Sequence, residues 1–139
     1  MAGIWVHGEV TGDGSLAKLA TEVATLARTL AAESGGAEVT GVVIAADPTA
    51  AAAELAKYVP RVLAVTEPAT ADHAAGMIVA QRLAALVDEH DPDVILAGAG
   101  PEGRDLAGAL SALTGRGILA NAIALRGSPT FAYAVPRLV

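Results

Sequence analysis

The chain contains no cysteine, which excludes a disulfide framework, a thiolate metal site and a cysteine nucleophile, and leaves its compartment unmarked by redox chemistry. Aromatic residues are scarce: one Trp, two Tyr and one Phe among 139 residues cannot build a base-stacking platform for single-stranded nucleic acid. Positive charge is also short, with 9 Lys and Arg against 15 Asp and Glu and a formal net charge of −6, the wrong sign for a phosphate-backbone binder. No apolar run approaches the roughly 20 residues that span a bilayer, and the amino end lacks the basic and apolar regions of a signal peptide. Together these absences predict a cytoplasmic chain that neither binds nucleic acid nor inserts into membranes. One absence is local. No carboxylate follows Asp105, while Arg116, Arg126 and Arg137 do, so an acidic body carries a weakly basic tail.

What the chain does have is small aliphatic bulk: 53% of it is hydrophobic, mostly Ala, Val and Leu. Its length suits about one domain with a core that needs no metal or disulfide, and a single domain over residues 1–139 is expected. Ile4, Trp5 and Val6 open an apolar run fit for a strand at or beside the sheet centre, and His7 is expected to end that strand with its ring satisfied by backbone. A TGDGS turn, Thr11 to Ser15, precedes a helical pattern through Glu33, with Ser15 as its N-cap and Gly35 and Gly36 as its end. Free N–H groups there suit an anion, but Asp13 has the opposing charge.

Val39 to Ala45 reads as a fully buried strand, Thr49 to Tyr58 as a short helix opened by Pro48, and Arg61 to Val65 as a third strand. Ala71 to His90 is the longest amphipathic pattern. His73 and His90 lie too far apart along it to share a metal, and no metal site is expected. Asp72 beside His73 has no nucleophile next to it, so no catalytic residue can be named.

The stretch DVILAGAGPEGRDLAGALSAL, Asp93 to Leu113, combines a buried strand over Val94 to Ala97, a glycine turn and a helix with Leu106, Ala109, Leu110 and Leu113 on its apolar side. Ala122 to Leu125 and Thr130 to Val135 read as two strands joined by a tight loop. Alternating strands and helices predict an α/β fold of three layers, a mostly parallel sheet with helices on both faces and a C-terminal hairpin at one edge. A last strand that is apolar and uncovered is expected to dock on something else or to belong to a longer protein.

The turn GAGPEG meets the spacing G-x-G-x-x-G, with Gly98, Gly100 and Gly103 as candidate cofactor-binding positions and Arg104 just behind them. A dinucleotide fingerprint follows the first strand of its unit and has an acidic residue about 20 positions on. Here the turn follows the fourth strand, no acid lies beyond Asp105, Pro101 removes a backbone donor and Glu102 adds negative charge where a pyrophosphate would lie. No Gly-Lys-Ser/Thr follows either, which excludes a Walker loop. The glycines therefore let the backbone approach something closely, and Arg104 is free to reach an anion, a partner carboxylate or Glu102.

The run LAALVDEHDPDVILAGAG followed by PEGRDLAGALSALTGRGILANAI resembles the amino-terminal domain of the electron-transfer flavoprotein alpha subunit. In that family a helix ends in Pro-Asp before an apolar strand, and Gly-Arg-Asp-Leu-Ala starts the next helix. IWVHGEVTGDGSL resembles its first strand and turn, and AAELAKYVPRVLAV its third helix-strand unit, so the likeness covers nearly the whole chain. It implies an adenine-nucleotide alpha-hydrolase-like α/β domain that pairs with a beta subunit and serves electron transfer from flavin dehydrogenases through FAD. The family's FAD is held mainly by a second, carboxyl-terminal domain of the alpha subunit and its AMP by the beta subunit, so the resemblance implies that this chain alone does not bind FAD. Two other readings of the same pattern are a universal-stress-like adenine-nucleotide binder using the Gly98 to Gly103 turn, and a small hydrolase or transferase with an unnamed nucleophile.

Overall fold

A computed structural model describes residues 3–72, 74–119, 122–128 and 131–136. Strand β1 (Ile4–His7) is followed by helix α1 (Lys18–Glu33), β2 (Val39–Ala45), α2 (Thr49–Leu55), β3 (Arg61–Thr66), a 3₁₀ turn (Pro68–Ala71), α3 (Ala75–His90), β4 (Val94–Leu96) and α4 (Pro101–Thr114). Strands β5 (Ala122–Ser128) and β6 (Phe131–Pro136) complete it. The first four strands form one parallel sheet in the order β3-β2-β1-β4. Ile4 lies opposite Val39 on one side and Val94 on the other, so β1 is central, as its apolar run predicts.

Every residue of β1 and β2 is buried, whereas β3 and β4 at the edges are only partly so. That gradient is why the two inner strands read as mostly apolar, with only His7 and Thr40 as buried polar residues: a parallel strand covered on both faces has no solvent side to mark with polar residues. Alternation along the strands still sorts the residues. Ile4, Val6, Val39 and Val43 pack against Val23, Ala27 and Leu30 of α1 and Leu55 of α2. Trp5, Val42 and Ile44 face the other way, onto Val79, Leu83 and Val87 of α3 and Leu106 and Leu110 of α4. Two cores on opposite sides of one sheet make the three layers. Asp93 ties the start of β4 to β1, its Oδ2 accepting from Gly3 N at 3.0 Å.

Several boundaries differ from the sequence reading for local reasons. Ser15 does not cap α1: the helix starts at Lys18 behind Ala17, which has no capping side chain. Ser15 instead donates from Oγ to Asp13 Oδ1 at 2.6 Å, and Thr11 hydrogen-bonds the same carboxylate, closing a polar turn before the helix begins. α2 stops at Leu55 and α3 begins at Ala75, each shorter than its pattern, with a 3₁₀ turn over Pro68–Ala71 taking the residues ahead of α3. At the end of α1, Gly35 and Gly36 have φ of +77° and +86°, which suits glycine, and Gly36 N donates to Ala31 O at 2.9 Å. In α4 the buried stripe is Gly103, Leu106 and Leu110, and Leu113 is 56% exposed rather than in the core.

The C-terminal hairpin also sits differently from the edge position expected. β5 and β6 pair antiparallel, with Leu125 opposite Ala134, but form a two-stranded ribbon of their own and do not extend the parallel sheet. β5 runs alongside α1, and a helix has no free backbone groups along its length to offer a strand. Asn121 and the Pro129-Thr130 loop lie outside the described residues.

Candidate functional site

From β1 the chain winds outward to β2 and β3, then returns across the sheet to β4 on the other side of β1. The order reverses between β1 and β4, and in open α/β sheets the crevice beyond the carboxyl ends of such strands is where ligands bind. Here that crevice is bounded by Gly8 and Glu9 after β1, by residues 97–100 after β4, and by the first turn of α4. The glycine turn singled out from the sequence thus lies at the topological switch point.

Its glycines are accounted for by packing within the chain. A Cβ on Gly103 would overlap the carbonyl oxygen of Gly98, so α4 starts hard against the end of its own strand. A Cβ on Gly98 would lie 2.5 Å from Cδ2 of Leu19 in α1. Gly100 is the N-cap of α4 with φ −78° and ψ 177°, extended backbone open to any residue, and Pro101 takes the first helical position. Gly98 and Gly103 are therefore brought together, while Gly100 is spaced from them by the turn. Arg104 is exposed, and its guanidinium makes no ion pair among the described residues. Of the partners open to it, Glu102 is engaged elsewhere.

Glu102 reaches His7. The ring Nε2 lies 3.2 Å from Glu102 Oε2, and His7 is only 3% exposed. The expectation that backbone would satisfy this histidine is corrected: its partner is a carboxylate 95 residues away in sequence. The bond assigns the tautomer, because an ionised carboxylate only accepts, so Nε2 carries the hydrogen. Nδ1 is buried without a partner among the described residues, and a bare lone pair costs less to bury there than an N–H. Partial burial of Glu9, together with the charge of Glu102, pushes its carboxyl above the usual glutamate range, while His7 opposes that rise.

The His7, Glu9 and Glu102 cluster was not legible from spacing, since its members belong to two distant motifs. The available signal was a polar residue ending an otherwise apolar central strand, on the same side of the sheet as Trp5. Electrostatically the cluster is acidic. The N-terminus of α4, which otherwise attracts anions, has Glu102 in its first turn and Pro101 without an N–H. A phosphate at this turn would meet the Glu102 carboxylate and one fewer backbone donor. Among the described residues no group of three or more His, Asp or Glu is placed to hold a metal, and no helix is long and apolar enough to cross a membrane.

The architecture defines a three-layer α/β protein whose glycine turn lies at the switch point of a parallel sheet. Within that class, the chain belongs to the electron transfer flavoprotein domain family, whose model matches residues 4–136. The family's proteins are electron carriers rather than enzymes, which supports a role for this chain in electron transfer. No curated protein matches the chain.

Proposed function

We propose that this chain is the amino-terminal scaffold domain of an electron-transfer flavoprotein alpha subunit, a partner-binding unit over residues 1–139 that performs no chemistry of its own. The observation that carries this reading is the acidic switch point: Glu9 and Glu102 stand where a phosphate-binding member of the same architecture needs free N–H groups. In this reading FAD is held outside the chain, by a flavin-binding domain of the full-length protein, and supplies the one-electron chemistry when bound. The chain's own contribution is positional. Its rigid sheet, with every residue of β1 and β2 buried, gives a fixed frame against which a beta subunit packs and flavin dehydrogenases dock in the cytoplasm.

The test is direct. Purified chain should be colourless, and titration with FAD, AMP or ATP in a calorimeter should give no binding at micromolar concentrations. Stoichiometric yellow flavin after purification would overturn the placement of the FAD site. Micromolar affinity for ATP or AMP, abolished by Gly100→Asp, would favour the adenine-nucleotide-binding alternative instead.

A further inference from the structure

Single apolar side chains at a surface are ordinary, but clustered ones mark a place where something packs. Four large apolar side chains are exposed among the described residues, and three of them, Leu113, Ile118 and Leu119, fall within seven residues at the end of α4. The segment after the helix is folded back on it: Ser111 Oγ donates to Arg116 O at 2.6 Å, and Arg116 N donates to Thr114 Oγ1 at 3.3 Å. Ile118 and Leu119 therefore leave from beside the turn that carries Leu113. Among the described residues nothing stands over this end of the helix. A Cβ on Gly108, Gly115 or Gly117 would meet no other part of the chain within 4 Å, and Ala112 is exposed between them.

Two occupants are disfavoured. The chain's own C-terminal ribbon runs alongside α1, whose side chains pack on the other face of the sheet from those of α4. A second copy meets like charge, since each chain has a formal net charge of −6 and the groups nearest the patch are mainly acidic. Arg116 Nη2 donates to Asp91 Oδ1 at 3.0 Å, which ties the end of α3 to the segment carrying the patch. There Asp88, Glu89 and Asp91 are all exposed, at the negative end of the α3 dipole, which disfavours carboxylates. Asp88 has no ionic partner among the described residues, and Glu89 has only His90, at 4.0 Å.

We propose that the end of α4, with the acidic margin of α3 beside it, is a docking face for a basic protein segment: an apolar anchor seats on Leu113, Ile118 and Leu119, and flanking Lys or Arg side chains meet Asp88 and Glu89. The small residues Gly108 and Ala112 let the backbone of that segment come close. This rests on the reading of the chain as a partner-binding unit and gives the partner a chemistry.

The probe is a synthetic peptide of Leu and Lys with Leu at helical spacing, and the same peptide with Glu in place of Lys is its charge control. Titrated into the isotope-labelled full chain and followed by amide NMR, the Lys peptide should move the signals of residues 88–91 and 108–119 and leave those of α1 in place. The Glu peptide should bind at least about tenfold more weakly. Leu113→Ser with Leu119→Ser, both at exposed positions, should weaken the Lys peptide by about tenfold or more. Asp88→Asn with Glu89→Gln should weaken it by about threefold and reduce its sensitivity to salt. Unmoved α1 signals in each variant show that it is folded. Binding that ignores both pairs of substitutions, shifts centred elsewhere, or equal binding of the Glu peptide would overturn the proposal. So would self-association of the chain in sedimentation that Leu113→Ser with Leu119→Ser abolishes, because the occupant is then a second copy. Flavin or nucleotide binding by the chain would instead sink the scaffold reading and leave this map of shifts unchanged, so the two failures are told apart.

Discussion

The two connections that flank the switch point solve the same problem by different means. After β1 the chain spends ten residues, 8–17, on reaching α1, and holds them with side chains: Thr11 and Ser15 both hydrogen-bond the Asp13 carboxylate, and Val10 bridges Leu16. After β4 it spends four residues, 97–100, and holds them by contact between backbones and a part-buried His7–Glu102 pair. Over Thr11 to Ser15 the first connection is largely exposed and polar, so those residues are replaceable, while Gly8 at its start is buried against Val43 and Leu55. At the second, Gly103 faces a backbone carbonyl that cannot move aside. The difference teaches that glycine spacing alone is ambiguous: the same G-x-G-x-x-G that would cradle a pyrophosphate here serves helix-on-strand packing.

The sharpest break in that comparison comes from Gly103→Ala. The new methyl would collide with the Gly98 carbonyl, a backbone atom, so the start of α4 must shift away from β4. We expect a loss of about 3 kcal/mol or more, in the range of severe overpacking with a backbone displacement, read as a lower urea midpoint. The matching change in the other connection, Gly12→Ala, has nothing within 4 Å and should shift the midpoint by less than about 0.5 kcal/mol. Equal effects at both positions would erase the distinction.

Gly98→Ala should fall between them. Its methyl would meet the Leu19 side chain at 2.5 Å, and a leucine end can change rotamer where a carbonyl cannot. A cost of about 1–2 kcal/mol is expected, and Leu19→Ala in the same chain should recover part of it by opening the space. Additive losses in the double variant would show that Leu19 is not the obstacle.

Much of this fold was visible in the residues because the strongest signals are local. Val39 to Ala45 is rich in β-branched aliphatic residues and is β2 to the residue, and Gly35 and Gly36 stop α1 by their left-handed backbone. Where local rules competed, the sequence misled. Ser15 looks like a cap, but Asp13 two residues earlier offers it a nearer acceptor, and the helix starts later. Leu113 continues the helical spacing of Leu106 and Leu110, yet spacing cannot tell where the covering layer ends. The candidate site was legible only in half. The glycines marked the crevice, but Glu102 read as a charge that repels phosphate, and its bond to His7 depends on a strand order that no single motif encodes. Arg104, the cation that the spacing offered as a ligand, is turned to solvent.

The smallest effect belongs to Asp13, and it bears on how the first connection is held. Hydrogen bonds from Ser15 and then Thr11 lower its carboxyl to about 2 from the ordinary 3.8. A depressed value means that the folded turn prefers the ionised form, so the contribution is whole above the ordinary value and is lost as pH falls from there through the lowered one. Acid should therefore loosen the Thr11 to Ser15 turn between those limits. Carbon-detected NMR titration of the Asp13 side chain, with the Ser15 amide as a second reporter, measures both ends of that window. Asp13→Asn should flatten the Ser15 response and leave the Gly98 and Gly103 amides where they were. If Asp13 instead titrates at the ordinary value, the turn is held by its backbone hydrogen bonds, Thr11 N to Ser15 O and Gly14 N to Thr11 O, and the contrast between a connection built of side chains and one built of backbone contacts loses its first half.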